Sequence, residues 1–365
     1  MEDTLTISQT TLHTPTWCEI DLKALAYNFE QLQKLASKNM SHPSGIMPVI
    51  KADAYGHGIM EVARVLDECG CKYFGVSNAG EGIALRRAGF KQKILLFEST
   101  LPAEALDIVE YDLTPSVIAK EMAMALNHAA RQAKRQVAVH IKIDTGMGRL
   151  GIREDHALDF VASLRVQFPH LQLEGVFTHF PVADTDRDFT LNQMRRFRDI
   201  VYSLENQFIT FSYVHAGNSL GLGDYKSELF NLARPGIMLY GVYPLTDLKD
   251  KVHLKPVMSV KSQVLFVQTI AKGRGISYGH TFKAKEEMTV AILPIGYSNG
   301  YLRALSNKAF VLIQGVRCPV VGRVTMDQII VDVTTATLSG QIPKIGDIAV
   351  IMGTQKGATI SVDEL

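Results

Sequence analysis

The chain has 365 residues, 47% of them hydrophobic and 21% charged, with a formal net charge of +1. That balance describes an ordinary globular protein with enough apolar material for a large core, and it lacks the basic excess of a nucleic-acid binder. The polar, acidic opening Met1-Glu2-Asp3-Thr4-Leu5-Thr6 and the lack of any run of eighteen apolar residues argue against a secretory leader or a membrane span, so the expectation is a cytoplasmic protein with no membrane partner.

From about Asp21 to about Tyr243, short apolar runs alternate with helical periodicities. Strands are predicted at 46–50, 73–76, 94–97, 137–143, 173–178 and 213–215. Helices are predicted between them, as at 58–69, where Met60, Val62, Ala63, Val65 and Leu66 form an apolar stripe, and at 189–204. Such alternation implies a parallel sheet with crossover helices, and the length suits an α/β fold of the (β/α)8 TIM type over residues 14–250. After about Lys255 the pattern turns to strands at 257–270, 289–295, 309–313, 317–320 and 329–333, with a hairpin signal at Gln314-Gly315. This is a second, mostly β domain, 251–365, with residues 1–13 as a candidate addition.

A barrel places its chemistry just after the strands, and the polar residues fall there. Lys51 follows Val49-Ile50 and precedes Ala52-Asp53-Ala54-Tyr55-Gly56-His57-Gly58. A lysine at a strand end often lifts its ammonium into water while its stem covers apolar surface; held beside a pocket instead, it is a Schiff-base nucleophile. Arg149 follows a glycine-relaxed turn, Asp144-Thr145-Gly146-Met147-Gly148, which is either an ordinary loop or a close approach to a ligand. Lys142, inside an apolar strand, is costly unless paired or chemically neutralised.

His179, in Thr178-His179-Phe180, reads as a satisfied core histidine or as a site residue. Asn218-Ser219 supplies amide and hydroxyl groups at another strand end. Arg234-Pro235-Gly236-Ile237 holds a tight backbone whose N–H groups suit a phosphate. In the β-rich part, Ser277-Tyr278-Gly279, Pro294-Ile295-Gly296-Tyr297 and Met326-Asp327-Gln328 are strand-end turns bearing polar or aromatic groups. The four cysteines include a C-x-C but no C-x-x-C, which reads as reduced packing thiols with no metal site.

Taken in order, these motifs resemble the alanine racemase family along nearly the whole chain. The resemblance implies pyridoxal 5′-phosphate as cofactor, a small amino-acid substrate, and a head-to-tail homodimer in which each active site is completed by the partner's β-domain. Lys51 matches the lysine that forms the internal aldimine and acts as base on D-alanine, and Tyr278 matches the base for L-alanine. Racemisation needs a proton removed from one face of a planar carbanion and returned to the other, so two opposed bases are required.

Tyr55, Ser219, Gly236 and Ile237 match phosphate ligands, beside Asn218. Arg234 matches the partner of the cofactor's ring nitrogen, with His179 in the same hydrogen-bond chain. Arg149 and the Met326 N–H fall at the substrate carboxylate, with the adjoining Asp327 also on the substrate-binding side, Tyr297 at the entrance, and Lys142 at a lysine that is carbamylated in many members. Three departures stand out: Asn299 replaces the usual aspartate, Thr325 a common cysteine, and the chain ends at Leu365 where members normally continue, including a tyrosine that helps hold the phosphate. That ending implies either that the sequence stops short of the whole protein or that cofactor retention is weaker than usual. The competing readings are a related racemase for serine, lysine or a broader set of amino acids, and a noncatalytic pyridoxal-phosphate carrier.

Overall fold

The computed structural model describes residues 14–41, 45–338, 340 and 342–365. They divide into two units, Leu22–Val257 and a second formed by the described residues up to Asp21 with Met258–Leu365.

In the first unit the strands Tyr73–Val76, Lys93–Ser99, Thr114–Val117, Val137–Asp144, Leu171–Phe177 and Tyr213–His215 pair in parallel, each with the next. The ring closes through two short strands. Leu232–Ala233 pairs in parallel with Gly45–Ile46, and a bridge from Val49 to Gly75 joins that edge to the sheet. On the other side, the Asn231 N–H donates to the Val214 carbonyl at 3.0 Å and the Arg234 N–H to the Gly217 carbonyl at 2.7 Å. Eight parallel strands with helices between them make the TIM-type barrel that the alternation implied.

Side-chain alternation explains why these strands read as apolar yet carry chemistry. In Val137–Asp144, the aliphatic Val137, Val139, Ile141 and Ile143 occupy one face while His140 and Lys142 share the other, and all six are buried. The outer layer docks by amphipathic helices. Ile59–Glu68 buries Val62, Ala63 and Leu66, and Arg187–Asn206 buries Phe197, Val201 and Leu204 and is capped by Asp186, whose carboxylate accepts the Phe189 N–H at 2.9 Å. Truncating a side chain such as Phe197, which has no exposed surface, costs on the order of 3–5 kcal/mol.

The second unit is antiparallel. One sheet runs in the order Thr16–Ile20, Met258–Gln263, Ile348–Gln355, Phe310–Ile313, Val316–Pro319, and a three-stranded sheet joins Phe266–Ile270, Met288–Leu293 and Ile329–Asp332. Their shared core includes Val264, Leu293, Val311, Ile313, Val331 and Ile351. Gln314 (φ 54°) and Gly315 (φ 88°) form the two-residue hairpin turn expected between 313 and 316.

The unit boundaries differ from those expected at residues 14 and 250. Thr16–Ile20 pairs along its length with Met258–Gln263, from Thr16 opposite Ser262 to Ile20 opposite Met258, and so belongs to the β-rich unit. Residues 251–257 stay with the barrel, where Asn28 brackets Lys255 and the Val257 N–H donates to the Tyr240 carbonyl. The expected strand 257–270 is two strands in different sheets, divided at the buried Val264. Residues 1–13 lie outside the described residues.

Candidate active site at the barrel mouth

Lys51, Tyr55, Lys142, Arg149, His179, Asn218, Ser219, Arg234, Gly236 and Ile237 all line one cavity of roughly 370 Å³, with Val49, Phe97, Phe177, Leu220 and Pro244 as its apolar wall. Four of these side chains are cationic and none is a carboxylate. Asp144, two residues after Lys142, is occupied by its own loop: its Oδ1 and Oδ2 accept N–H groups from Gly146, Met147 and Gly148. The cavity therefore favours an anion.

Lys51 opens an uncommon backbone turn. Ala52, Asp53, Ala54 and Tyr55 all take left-handed conformations, with φ between 52° and 57°, at about 1–2 kcal/mol each for residues bearing a Cβ. Packing and hydrogen bonds hold them there. The Ala52 N–H donates to Glu81 Oε1 at 2.7 Å, and Asp53 Oδ1 accepts the Ile59 N–H at 2.8 Å. Tyr240 lies against the turn, its ring stacked on His57 at 4.3 Å and near Tyr55 at 5.0 Å, and its hydroxyl donates to the Val49 carbonyl.

The turn carries the Tyr55 hydroxyl to Gly236, where a Cβ would stand only 2.7 Å from that oxygen. Ser219 Oγ accepts N–H groups from Gly236 at 3.0 Å and Met238 at 3.3 Å. Ile237 then begins a short 3-10 turn, Ile237–Tyr240. Glycine thus lets backbone amides, a serine hydroxyl and a phenol converge, which is the donor set a phosphate monoester requires. Asn218 caps the segment after it by accepting the Gly221 N–H at 2.9 Å.

Arg234 is 3% exposed and held by buried partners. It donates to the carbonyls of Thr178 at 2.9 Å and Ala216 at 3.0 Å, to His215 Nδ1 at 2.5 Å, and reaches His179 Nδ1 at 3.4 Å, above the rings of Phe177 and Phe97. Burial pushes it down to about 9, still protonated at neutral pH. His179 is driven to about 3 by desolvation and then by the charges of Arg234, Lys142, Arg149 and Lys51, so its imidazole is neutral. Lys142, over the Phe177 ring, falls to about 8 through desolvation and the charges of Arg149 and Arg234.

Behind Arg234 runs a buried chain that the sequence reading missed. His215 Nε2 meets His140 Nδ1 at 2.8 Å, and His140 Nε2 faces Glu174 at 3.5 Å, while Glu174 also binds Lys93. Gly175 makes room for it, since a Cβ there would lie 2.5 Å from the His140 ring. The available signal was period-two spacing, which puts His140 on the same strand face as Lys142. Glu81 was also missed, and nothing in its local sequence marked it.

Tyr278, Tyr297, Met326 and Asp327 lie in the β-rich unit. Tyr278 is 71% exposed on a 3-10 turn preceded by Ser277 (φ 60°), whose hydroxyl donates to the Arg323 carbonyl. The Tyr297 turn is tied to the same 322–328 loop: the Tyr297 N–H donates to the Thr325 carbonyl, the Ser298 N–H to the Met326 carbonyl, and the Ser298 hydroxyl to Asp327 at 3.0 Å. Asn299 accepts the Gly296 N–H, and Thr325 closes its turn onto Gln328, so both departures from the family pattern are structurally accommodated.

Family profiles described as "Alanine racemase, N-terminal domain" and "Alanine racemase, C-terminal domain" match residues 20–244 and 257–365. The chain is 39% identical over 354 residues to the alanine racemase of Halothermothrix orenii, covering 96% of this chain and 90% of that one. Among solved structures it is similar to alanine racemase from Clostridium difficile 630, with TM-score 0.87, 33% identity and coverage of 95% and 89%. The Bacillus anthracis alanine racemase with bound L-Ala-P matches at TM-score 0.85 and 31% identity, with coverage of 96% and 89%.

Proposed function

The chain belongs to the alanine racemase family, and we propose that the barrel cavity binds pyridoxal 5′-phosphate and a small amino acid with Lys51 and Tyr278 as the two proton-transferring residues. The protein is a pyridoxal-phosphate-dependent isomerase that interconverts L-alanine and D-alanine. The observation that carries the site assignment is the cavity itself: four cationic side chains, Lys51 among them, without a carboxylate, and an amide-and-hydroxyl cradle shaped by Gly236.

When bound, the cofactor supplies an electron sink that acidifies the α-proton of the amino acid. Lys51 would hold its carbonyl carbon, and Tyr55, Ser219 and the Gly236 and Ile237 amides its phosphate, with Asn218 beside them. Arg234 would face the ring nitrogen, and its guanidinium, too weak an acid to give up a proton to a pyridine, would leave that nitrogen unprotonated, which weakens the sink and favours return of the proton to the α-carbon. Arg149 would orient the substrate carboxylate, and His179, held neutral, would serve as a hydrogen-bond partner without competing for the proton.

The second proton-transferring group is Tyr278 from a partner subunit's β-rich unit in a homodimer with shared active sites, together with the Met326 N–H at the substrate carboxylate, Asp327 beside it among the substrate-binding residues, and Tyr297 at the entrance. Its exposure leaves its hydroxyl available to a neighbouring subunit. Lys142, with an amine near 8, is suited to capture carbon dioxide; the resulting carbamate would pair with Arg149. No described helix is long and apolar enough to cross a membrane, which fits a cytoplasmic role supplying D-alanine for peptidoglycan.

The test is α-proton exchange and loss of optical rotation with L-alanine, L-serine and L-lysine, using protein supplied with pyridoxal phosphate. Preferential turnover of alanine is expected. Preferential turnover of serine or lysine would overturn the substrate, and cofactor binding without turnover of any would overturn the catalytic reading.

A further inference from the structure

We propose that Glu81 is a positioning residue for this cavity: its carboxylate holds the left-handed turn after Lys51 and thereby sets where Lys51 and Tyr55 stand. The inference rests on the reading of the cavity as a pyridoxal-phosphate site. Glu81 lies in the first turn of the helix Ala79–Arg87, which follows the second barrel strand and is capped by Asn78. Its two oxygens are divided between two backbone amides on different segments: Oε1 accepts the Ala52 N–H and Oε2 the Ser77 N–H, each at 2.7 Å.

Ala52 is the first of the four left-handed residues, directly after Lys51, and Tyr55 is the last. The turn is therefore gripped at its start by Glu81, while Asp53 ties it forward to Ile59. A charge that merely favoured the start of its own helix would need no contact with Ala52. A carboxylate accepts at both oxygens, whereas a glutamine amide keeps one acceptor and turns an NH2 donor against the other N–H. Aspartate is one methylene shorter and does not span both amides.

The experiment compares parent, Glu81→Gln and Glu81→Asp by hydrogen exchange in the apoprotein and by pyridoxal-phosphate titration followed through its visible absorbance. Exchange over residues 51–58 is expected to rise about tenfold or more, as the loss of a charge-assisted hydrogen bond implies, while the strands 93–99 and 137–144 keep parental rates. Cofactor affinity is expected to fall by a similar factor, and kcat to fall more than KM for alanine changes. Parental exchange and affinity in both variants would overturn the proposal. So would an increase spread evenly over the barrel, which marks lost stability and no local positioning. A parent protein that binds no pyridoxal phosphate would overturn the cofactor reading, a result separate from the apoprotein exchange that decides the role of Glu81.

Discussion

Arg234 Nη1 donates to His215 Nδ1 at 2.5 Å, and that bond fixes the tautomers of a chain reaching across the barrel interior. With Nδ1 accepting, His215 donates from Nε2 to His140 Nδ1, and His140 donates from Nε2 toward Glu174. Both imidazoles are held neutral, chiefly by desolvation, so the contact between His140 and Glu174 is a hydrogen bond and not an ion pair. Glu174 is the carboxylate on which this chain ends.

Replacing Glu174 with Gln should destabilise the barrel by about 1–3 kcal/mol, because a buried donor loses its charged acceptor. Burial alone would raise the Glu174 pKa, but hydrogen bonds from His140 and Lys93 bring it below 4.5. Its contribution is thus present above about pH 4.5 and lost as the pH falls further. Melting curves of parent and Glu174→Gln should differ at neutral pH and converge in acid. A constant difference down to about pH 3 would contradict the assignment.

The histidines give a second pH window. His140, His179 and His215 have folded-state pKa values below 6.5, His179 near 3. As the pH drops through 6.5, the unfolded chain binds protons that the folded barrel refuses, so stability falls. Between about pH 7.5 and 5.5 unfolding free energy should decline, by up to about 1.4 kcal/mol per unit for each histidine. His179→Gln should show a shallower decline in urea titrations at the two pH values.

Gly236→Ala should weaken pyridoxal-phosphate binding about tenfold while changing stability by about 1 kcal/mol, because the new Cβ comes too close to the far end of the Tyr55 side chain and makes only an ordinary contact with Val49. Adding Tyr55→Phe should then cost less affinity than it does alone, since the two substitutions act on one contact. Full additivity in cofactor titrations would separate the two residues.

Most of the barrel was legible because its longer strands keep one aliphatic face, as Val137, Val139, Ile141 and Ile143 do, and its helices keep a clear stripe. Thr114–Val117 escaped because it contains Pro115 and polar Thr114 and Ser116, and Leu232–Ala233 because two residues carry no period. The cavity residues were legible through strand-end position and family resemblance. Glu81 was not, since its partners are backbone amides on segments that approach only in the folded barrel, and side-chain patterns record nothing of them. The strand Thr16–Ile20 joined a sheet more than two hundred residues away in sequence, a pairing no local window reveals.

Lys142 should carry a carbamate in the working enzyme. Protein equilibrated with 13C-bicarbonate should show one carbamate carbon signal by NMR that is missing from Lys142→Ala. An identical signal in that variant, or none in the parent, would remove the assignment and leave an amine near 8 facing Arg149.

Whether two residues move the proton, Lys51 on one face of the substrate and Tyr278 on the other, is decided by α-proton exchange of each alanine enantiomer in D2O with the Tyr278→Phe protein loaded with pyridoxal phosphate. Exchange from L-alanine should fall by at least about a thousandfold, within the range for removing a general base, while cofactor absorbance stays at the parental value. Exchange from L-alanine at the parental rate would contradict the two-base account.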